Sequence, residues 1–200
     1  QINDGEAENI LVGSTDEQTD RTMELYRLNK TIKKEENLPV DYLNSTTDGV
    51  IWGEGASFFV LGKDKTENSY AQLKDIQISN RLDLEETQQF IEDFLAKNNL
   101  KNDEIDAVIL GFSGDAKSNV YYAKAMNLFE NSALLYYKHL SGEFNTASGF
   151  STFMACHILK NQEIPEVMMI NSVKKDRIKN ILLYNHLGGN DHSLVLLGKA

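Results

Sequence analysis

One run constrains this chain more than any other: DAVILGFSGD, residues 106–115. Ala107 to Leu110 is unbroken apolar, and a glycine closes it. A strand with one face in water alternates apolar and polar residues. A strand with no polar alternate is covered on both faces, as in a parallel sheet packed between helices.

The flanking segments extend that theme. Residues 8–14 (ENILVGS) predict a buried strand stopping at a loop. Residues 15–37 place Met23, Tyr26, Leu28 and Ile32 at roughly helical spacing. Thr19 or Asp20 is the expected cap, and lysines near the end suit the helix dipole. Pro39 and residues 44–49 (NSTTDG) mark a loop. Residues 50–62 (VIWGEGASFFVLG) predict a strand with a Gly-Glu-Gly break, and residues 64–69 (DKTENS) a linker. A strand over 71–79 and a helix with Leu84, Phe90, Ile91, Phe94 and Leu95 on one face come next. Beyond the central run, a helix is expected over 119–129, a strand over 133–137 and a helix over 145–161. Strands over 166–172, 179–185 and 192–198 complete the chain. Strands alternating with helices predict an α/β fold, layered on a mostly parallel sheet.

Composition bounds the function. The 200 residues are 41% hydrophobic and 25% charged, enough for one domain with a real core. No apolar run reaches the length of a transmembrane helix, and the polar, acidic first residues are not those expected of a signal peptide. A net charge of −10 argues against nucleic acid or an anionic membrane as a partner. The single cysteine, Cys156, allows neither an internal disulfide nor a Cys-rich metal site, which suits a reducing cytoplasm. The chain starts at Gln1 rather than Met, as expected of a processed product or a piece of something longer.

The obvious chemical residues lack partners in sequence. His139, His157, His186 and His192 show no metal-ligand spacing. Cys156 sits well inside its predicted helix, where a thiol packs rather than reacts. The Gly188-Gly189 pair feeds a strand, not a helix, so it is no dinucleotide fingerprint. No cofactor and no metal is expected.

Four segments taken in order resemble the β-ketoacyl synthases of the thiolase superfamily. Residues 2–17 (INDGEAENILVGSTDE) resemble that family's segment shortly after the nucleophile helix. Residues 48–61 (DGVIWGEGASFFVL) are similar to its Asp-Gly-Phe-x-x-Gly-Glu-Gly-Ala segment. Residues 138–150 (KHLSGEFNTASGF) are similar to its Lys-Ser-x-x-Gly-His-x-x-Gly-Ala-Ala-Gly loop. Residues 185–196 (NHLGGNDHSLVL) resemble its late Phe-Gly-Gly-Thr-Asn loop and final strand. The resemblance implies a thiolase-like fold, with residues 1–65 the incomplete end of an N-terminal half and 66–200 a complete C-terminal half. It implies decarboxylative Claisen condensation of an acyl chain with a malonyl unit on acyl carrier protein. In that reaction a Cys carries the acyl group and two histidines stabilise the enolate. A homo- or heterodimer with a ketosynthase follows as a partner expectation.

Departures from the pattern fall on the chemistry. The nucleophile position would precede Gln1. The two histidine positions hold Gly111 and Glu143, and Thr152 replaces an acidic residue in the following helix. The family's lysine is matched by Lys138; the late loop is two residues shorter, with Leu187 in place of an aromatic gate. A neutral imidazole donates a hydrogen bond; a carboxylate at neutral pH only accepts. Lys138, Glu143, Leu187, Gly188 and Gly189 are therefore substrate-loop candidates without catalytic residues among them. Lys174, Lys175, Arg177 and Lys179, in a basic run, are candidates for docking an acidic carrier protein. The favoured reading is a non-catalytic relative resembling the chain-length factors of aromatic polyketide and aryl polyene pathways, paired with an active ketosynthase. The alternatives are an active 3-oxoacyl-carrier-protein synthase with its Cys upstream, and a stand-alone acyl-binding protein. Taken in isolation, residues 1–65 are expected to leave a sheet edge and an apolar face uncovered.

Overall fold

The central strand, buried along its whole length, is covered on both faces, and several other strands carry one exposed face. The computed structural model describes residues 1–2 and 4–200; Asn3, within the first resembling segment, lies outside the described residues. In chain order come β1 (Asn9–Asp16), α1 (Asp20–Leu28), β2 (Gly55–Gly62), β3 (Ala71–Arg81) and α2 (Thr87–Lys97). They are followed by β4 (Ala107–Leu110), α3 (Ala116–Met126), β5 (Ala133–Tyr136), the single turn α4 (Lys138–Ser141) and α5 (Ser148–Asn161). The hairpin of β6 (Asn180–Leu187) and β7 (Asn190–Lys199) ends the chain.

The main sheet has the order β3-β7-β6-β4-β5. One side, β6-β4-β5, is parallel, and β7 and β3 extend it antiparallel, so the sheet is mixed. The run that predicts burial on both faces behaves accordingly. Val108 and Leu110 of β4 pack with Ile91, Phe94, Leu95 and Tyr122 from α2 and α3. Ala107 and Ile109 pack with Ala155, Ile158 and Leu159 of α5. The layered α/β architecture expected from the sequence is the one observed.

β1 and β2 form a separate antiparallel ribbon, with Leu11 opposite Val60 and Gly13 opposite Phe58. The ribbon meets α5 where Gly149 abuts Ser57; a Cβ on Gly149 would stand 2.6 Å from the Ser57 hydroxyl. The sequence predicts a buried strand at 8–14. Instead β1 runs on to Asp16 and turns Leu11, 68% exposed, to solvent with Phe58 and Val60 of β2. A two-stranded ribbon has a layer on one side and nothing to bury its other face.

Two further predicted boundaries move. The helix near residue 20 is capped by Thr19, whose hydroxyl accepts from the Thr22 amide, and it ends at Leu28. The strand expected at 166–172 does not form: a 3₁₀ turn covers Glu166–Met168 after Pro165. Ile170 then donates to the Leu134 carbonyl, and the Asn171 side chain bonds the Leu134 amide and the Ser132 carbonyl. An isolated bridge between Leu135 and Met169, together with the Asn171 side chain, thus satisfies the β5 edge where a strand would have.

Candidate functional site

The parallel register brings three residues to one end of the sheet. Leu110 pairs with Tyr136 on one side and Tyr184 on the other. The next residues along the three strands, Gly111, Tyr137 and Asn185, therefore stand in a row at the carboxyl ends. That is where open α/β sheets place their ligands.

The row is bonded together. The Tyr137 hydroxyl donates to Asn185 Oδ1 at 3.1 Å, and Tyr122 of α3 reaches the same oxygen at 3.5 Å. Tyr122 also accepts from the His186 amide at 3.1 Å. A Cβ on Gly111 would collide with Asn185 Oδ1 and the Tyr122 hydroxyl. At Gly111 the volume a side chain would need is thus already filled.

Lys138 and Glu143 close the group. Lys138 opens the turn α4 directly after β5 and is wholly buried; its Nζ donates to Glu143 Oε2 at 2.6 Å. The Glu143 backbone is clamped to the segment that precedes β2, its amide donating to Ile51 O and its carbonyl accepting from Gly53 N. Gly142, at φ +73°, makes the turn between them, and a Cβ there would stand 2.9 Å from the Gly53 nitrogen. Thr152, on α5, turns its hydroxyl back to the Ser148 carbonyl at 2.8 Å. The carboxylate facing Lys138 is that of Glu143, from the loop, rather than one from the helix.

The electrostatics are those of a closed site. Burial, then the Glu143 charge, holds the Tyr137 phenol well above its ordinary pKa. Burial does the same to Tyr122, with Tyr137 and Glu143 adding to it. His186 lies well below the ordinary imidazole value through burial first, then the Lys138 charge and His192. Cys156 is half-buried, and burial pushes its thiol up to about 11. Both phenols and His186 are neutral at neutral pH, and Cys156 is no nucleophile. Two surface concavities, of about 480 and 380 Å³, touch Glu92, Leu95 and residues 100–103 and 127–131, none of which belongs to this group.

Leu187, Gly188 and Gly189 form no loop over the site. Leu187 pairs with Asn190, and Gly188 and Gly189, both at positive φ, make a tight hairpin turn between β6 and β7. The turn carries two histidines that sequence reasoning did not single out. The His186 and His192 rings lie 5.0 Å apart, and His186 stacks on Tyr122 at 4.3 Å. Strand alternation through the Gly-Gly turn was the signal that could have paired them.

The basic run sits elsewhere. Lys174, Lys175, Arg177 and Lys179 precede β6, at the amino ends of the parallel strands, whereas the Lys138 group sits at the carboxyl ends. The six steps from Lys179 to Asn185 span roughly 20 Å of strand. Among the described residues, no group of three or more His, Cys, Asp or Glu side chains is placed to hold a metal. No helix among them is long and apolar enough to cross a membrane.

No family model matches the sequence, and no curated protein matches it. Solved structures do match, over the whole chain. A β-ketoacyl synthase from Burkholderia phymatum STM815 superposes with a TM-score of 0.78 at 12% identity. The ishigamide ketosynthase/chain length factor gives 0.76 at 13%. The type II polyketide ketosynthase AntDE, solved with its acyl-carrier protein AntF, gives 0.80 at 13%. All of this chain is covered in each case, but only 56–58% of theirs, so the chain spans little more than half the length of the structures it matches. The layered α/β fold is the one these ketosynthase structures have.

Proposed function

We propose that this chain is part of a ketosynthase-like protein of fatty acid, polyketide or aryl polyene assembly that does not catalyse the condensation itself and pairs with an active ketosynthase. The observation carrying this reading is the buried pair at the second histidine position. Glu143 is bonded to Lys138 at 2.6 Å, and Gly111 has no room for a side chain. Loss of one donor to a developing oxyanion costs about 2.7–4 kcal/mol. Here neither position offers a donor, and a carboxylate faces the place where negative charge would grow.

The apolar surface supports the pairing. Leu11, Phe58 and Val60 line one face of the β1–β2 ribbon in solvent. Ile76 and Ile78 of β3 pair with Val195 and Ser193 on the sheet face that α5 covers only in part, and both are exposed. α5 itself is apolar nearly all round, with Phe153 exposed. A helix of that kind belongs in an interior. We read residues 1–65 as the end of one thiolase-like half and 66–200 as the other, with these faces covered by the remainder of the first half or by the partner.

Acyl carrier protein is the proposed third party. A carrier docked on Lys174, Lys175, Arg177 and Lys179 would sit at the wrong end of the sheet to present its cargo to the Lys138 loop, which argues against that run as a delivery site.

The test is decarboxylation of malonyl-carrier protein by the purified protein, with and without an intact ketosynthase. The expected result is no turnover by the protein alone, and stable association with the ketosynthase. Decarboxylation by the protein alone that disappears in Glu143→Ala would overturn the reading.

A further inference from the structure

The segment between α1 and β2 is held by a buried cation. Lys33 is 4% exposed, and its Nζ meets a cage of oxygens: Ser45 Oγ at 3.2 Å, Thr47 O at 2.9 Å, Thr47 Oγ1 at 3.1 Å and Gly114 O at 2.5 Å. The two carbonyls can only accept. Ser45 Oγ spends its own hydrogen on the Thr47 carbonyl at 3.1 Å, so it too accepts from Lys33. The cage therefore asks for a positive centre with donors in several directions, and it gives nothing back to a neutral amine.

Its surroundings carry the matching charge. The Asp115 and Asp48 carboxylates both favour the ammonium form, against burial, which lowers the Lys33 pKa. Asp115 is fixed in place as the cap of α3, accepting from Ser118 N at 3.0 Å and from Gly49 N at 2.8 Å. Asp48 is paired with Lys117 at 2.6 Å. The cage joins two distant parts of the chain: residues 45–49 of the first unit, and the loop from Gly111 to Asp115 that opens the site. Ala116 N donates to the Thr47 carbonyl across the same junction.

We propose that the oxygen cage around Lys33 is a monovalent-cation site, of ammonium or potassium size, that this chain fills with its own side chain. Carbonyl and hydroxyl oxygens arranged around one point replace the hydration shell of such an ion. Oxygen-to-nitrogen distances of 2.5–3.2 Å suit an ammonium ion or an ion of similar radius. Tethering the ion to the backbone at residue 33 makes the junction permanent and independent of salt. Lys33 is accordingly a positioning residue: it fixes the 45–49 loop against the loop beginning at Gly111.

The experiment removes the tether and offers the free ion. Lys33→Ala is compared with the unaltered chain by thermal unfolding in chloride salts of ammonium, potassium, sodium and tetramethylammonium at equal ionic strength. In sodium or tetramethylammonium the variant should melt roughly 4–10 °C lower, the scale of losing a charged, buried hydrogen-bonding group in a chain of this size. Ammonium or potassium at about 0.1 M should restore roughly half of that loss, while the unaltered chain shows no such ion preference. If the variant does not fold in sodium, the same comparison is made on refolding: recovery in ammonium or potassium alone supports the site. Equal loss in all four salts, or failure to refold in any of them, overturns it. Lys33→Gln provides the control, since a neutral amide fills the space without the charge and should gain nothing from either ion.

Discussion

Lys138 Nζ lies 2.6 Å from Glu143 Oε2, and neither side chain is more than 7% exposed. Two charges taken this far out of water are held by each other, and removing one strands the other. Lys138→Met or Glu143→Leu alone should therefore cost about 3–5 kcal/mol in urea unfolding. The double variant should lose much less than the sum of the two, because an apolar pair of similar volume leaves no buried charge. Additive losses would show that the two residues are not a pair.

Placing histidines at residues 111 and 143 should fail for two separate reasons. Glu143→His orphans Lys138, and no donor stands at residue 111. Gly111→His drives a Cβ into Asn185 and Tyr122, so it should destabilise the fold by about 1–3 kcal/mol or more as an overpacking change. The measurement is unfolding of Gly111→Ala, whose single added methyl isolates the collision. A neutral Gly111→Ala would mean that the site retains space for a catalytic side chain.

Much of this was readable in the residues, and what was not has physical causes. The central run specified a doubly buried strand because β4 offers no polar face, and the structure buries all four of its residues. The loop 138–150 specified its own shape through Gly142. What escaped was partnership across the sequence. Glu143 reads alone as a carboxylate at a helix entrance; its bond to Lys138 depends on a turn whose geometry the flanking segment Ile51–Gly53, bridged to it at Trp52, imposes. Gly111 reads as an absent histidine, whereas its filled volume comes from Tyr122 and Asn185 on other elements. Exposure escaped too: ENILVGS has the apolar content of a core strand, and only the layer it lacks decides that Leu11 meets solvent.

That uncovered ribbon makes a prediction about association. Phe58 lies over Gly13 on the solvent face of β2, beside Val60. Phe58→Asp with Val60→Lys removes exposed apolar area, so the chain alone should keep its melting temperature within a few degrees and aggregate less. If the face is a partner surface, the same change should abolish co-purification with a ketosynthase. Unchanged association would place the partner elsewhere.

The hairpin of β6 and β7 predicts how stability falls with acid. His192 Nε2 faces the Gly189 carbonyl at 3.0 Å and so carries the hydrogen, leaving Nδ1 to accept from the Tyr184 hydroxyl at 2.9 Å. His186 Nδ1 accepts from the Gly189 amide at 3.0 Å. Both rings are thus held neutral, and both pKa values are lowered, chiefly by burial, with Lys138 adding to the effect on His186. A histidine whose pKa is depressed in the fold binds its proton more readily when unfolded. Stability is therefore full above the unfolded value of about 6.5 and falls as pH drops below it toward the folded values. Between pH 7.5 and 5 the loss should be at most about 2 kcal/mol per histidine, a ceiling set by the unfolded value, with His186 contributing the larger part. His186→Phe keeps the stack on Tyr122, gives up the Gly189 bond, and should flatten the slope while lowering stability at pH 7.5. Urea midpoints measured across that range decide it: a variant with the same pH slope as the unaltered chain would remove His186 as the source.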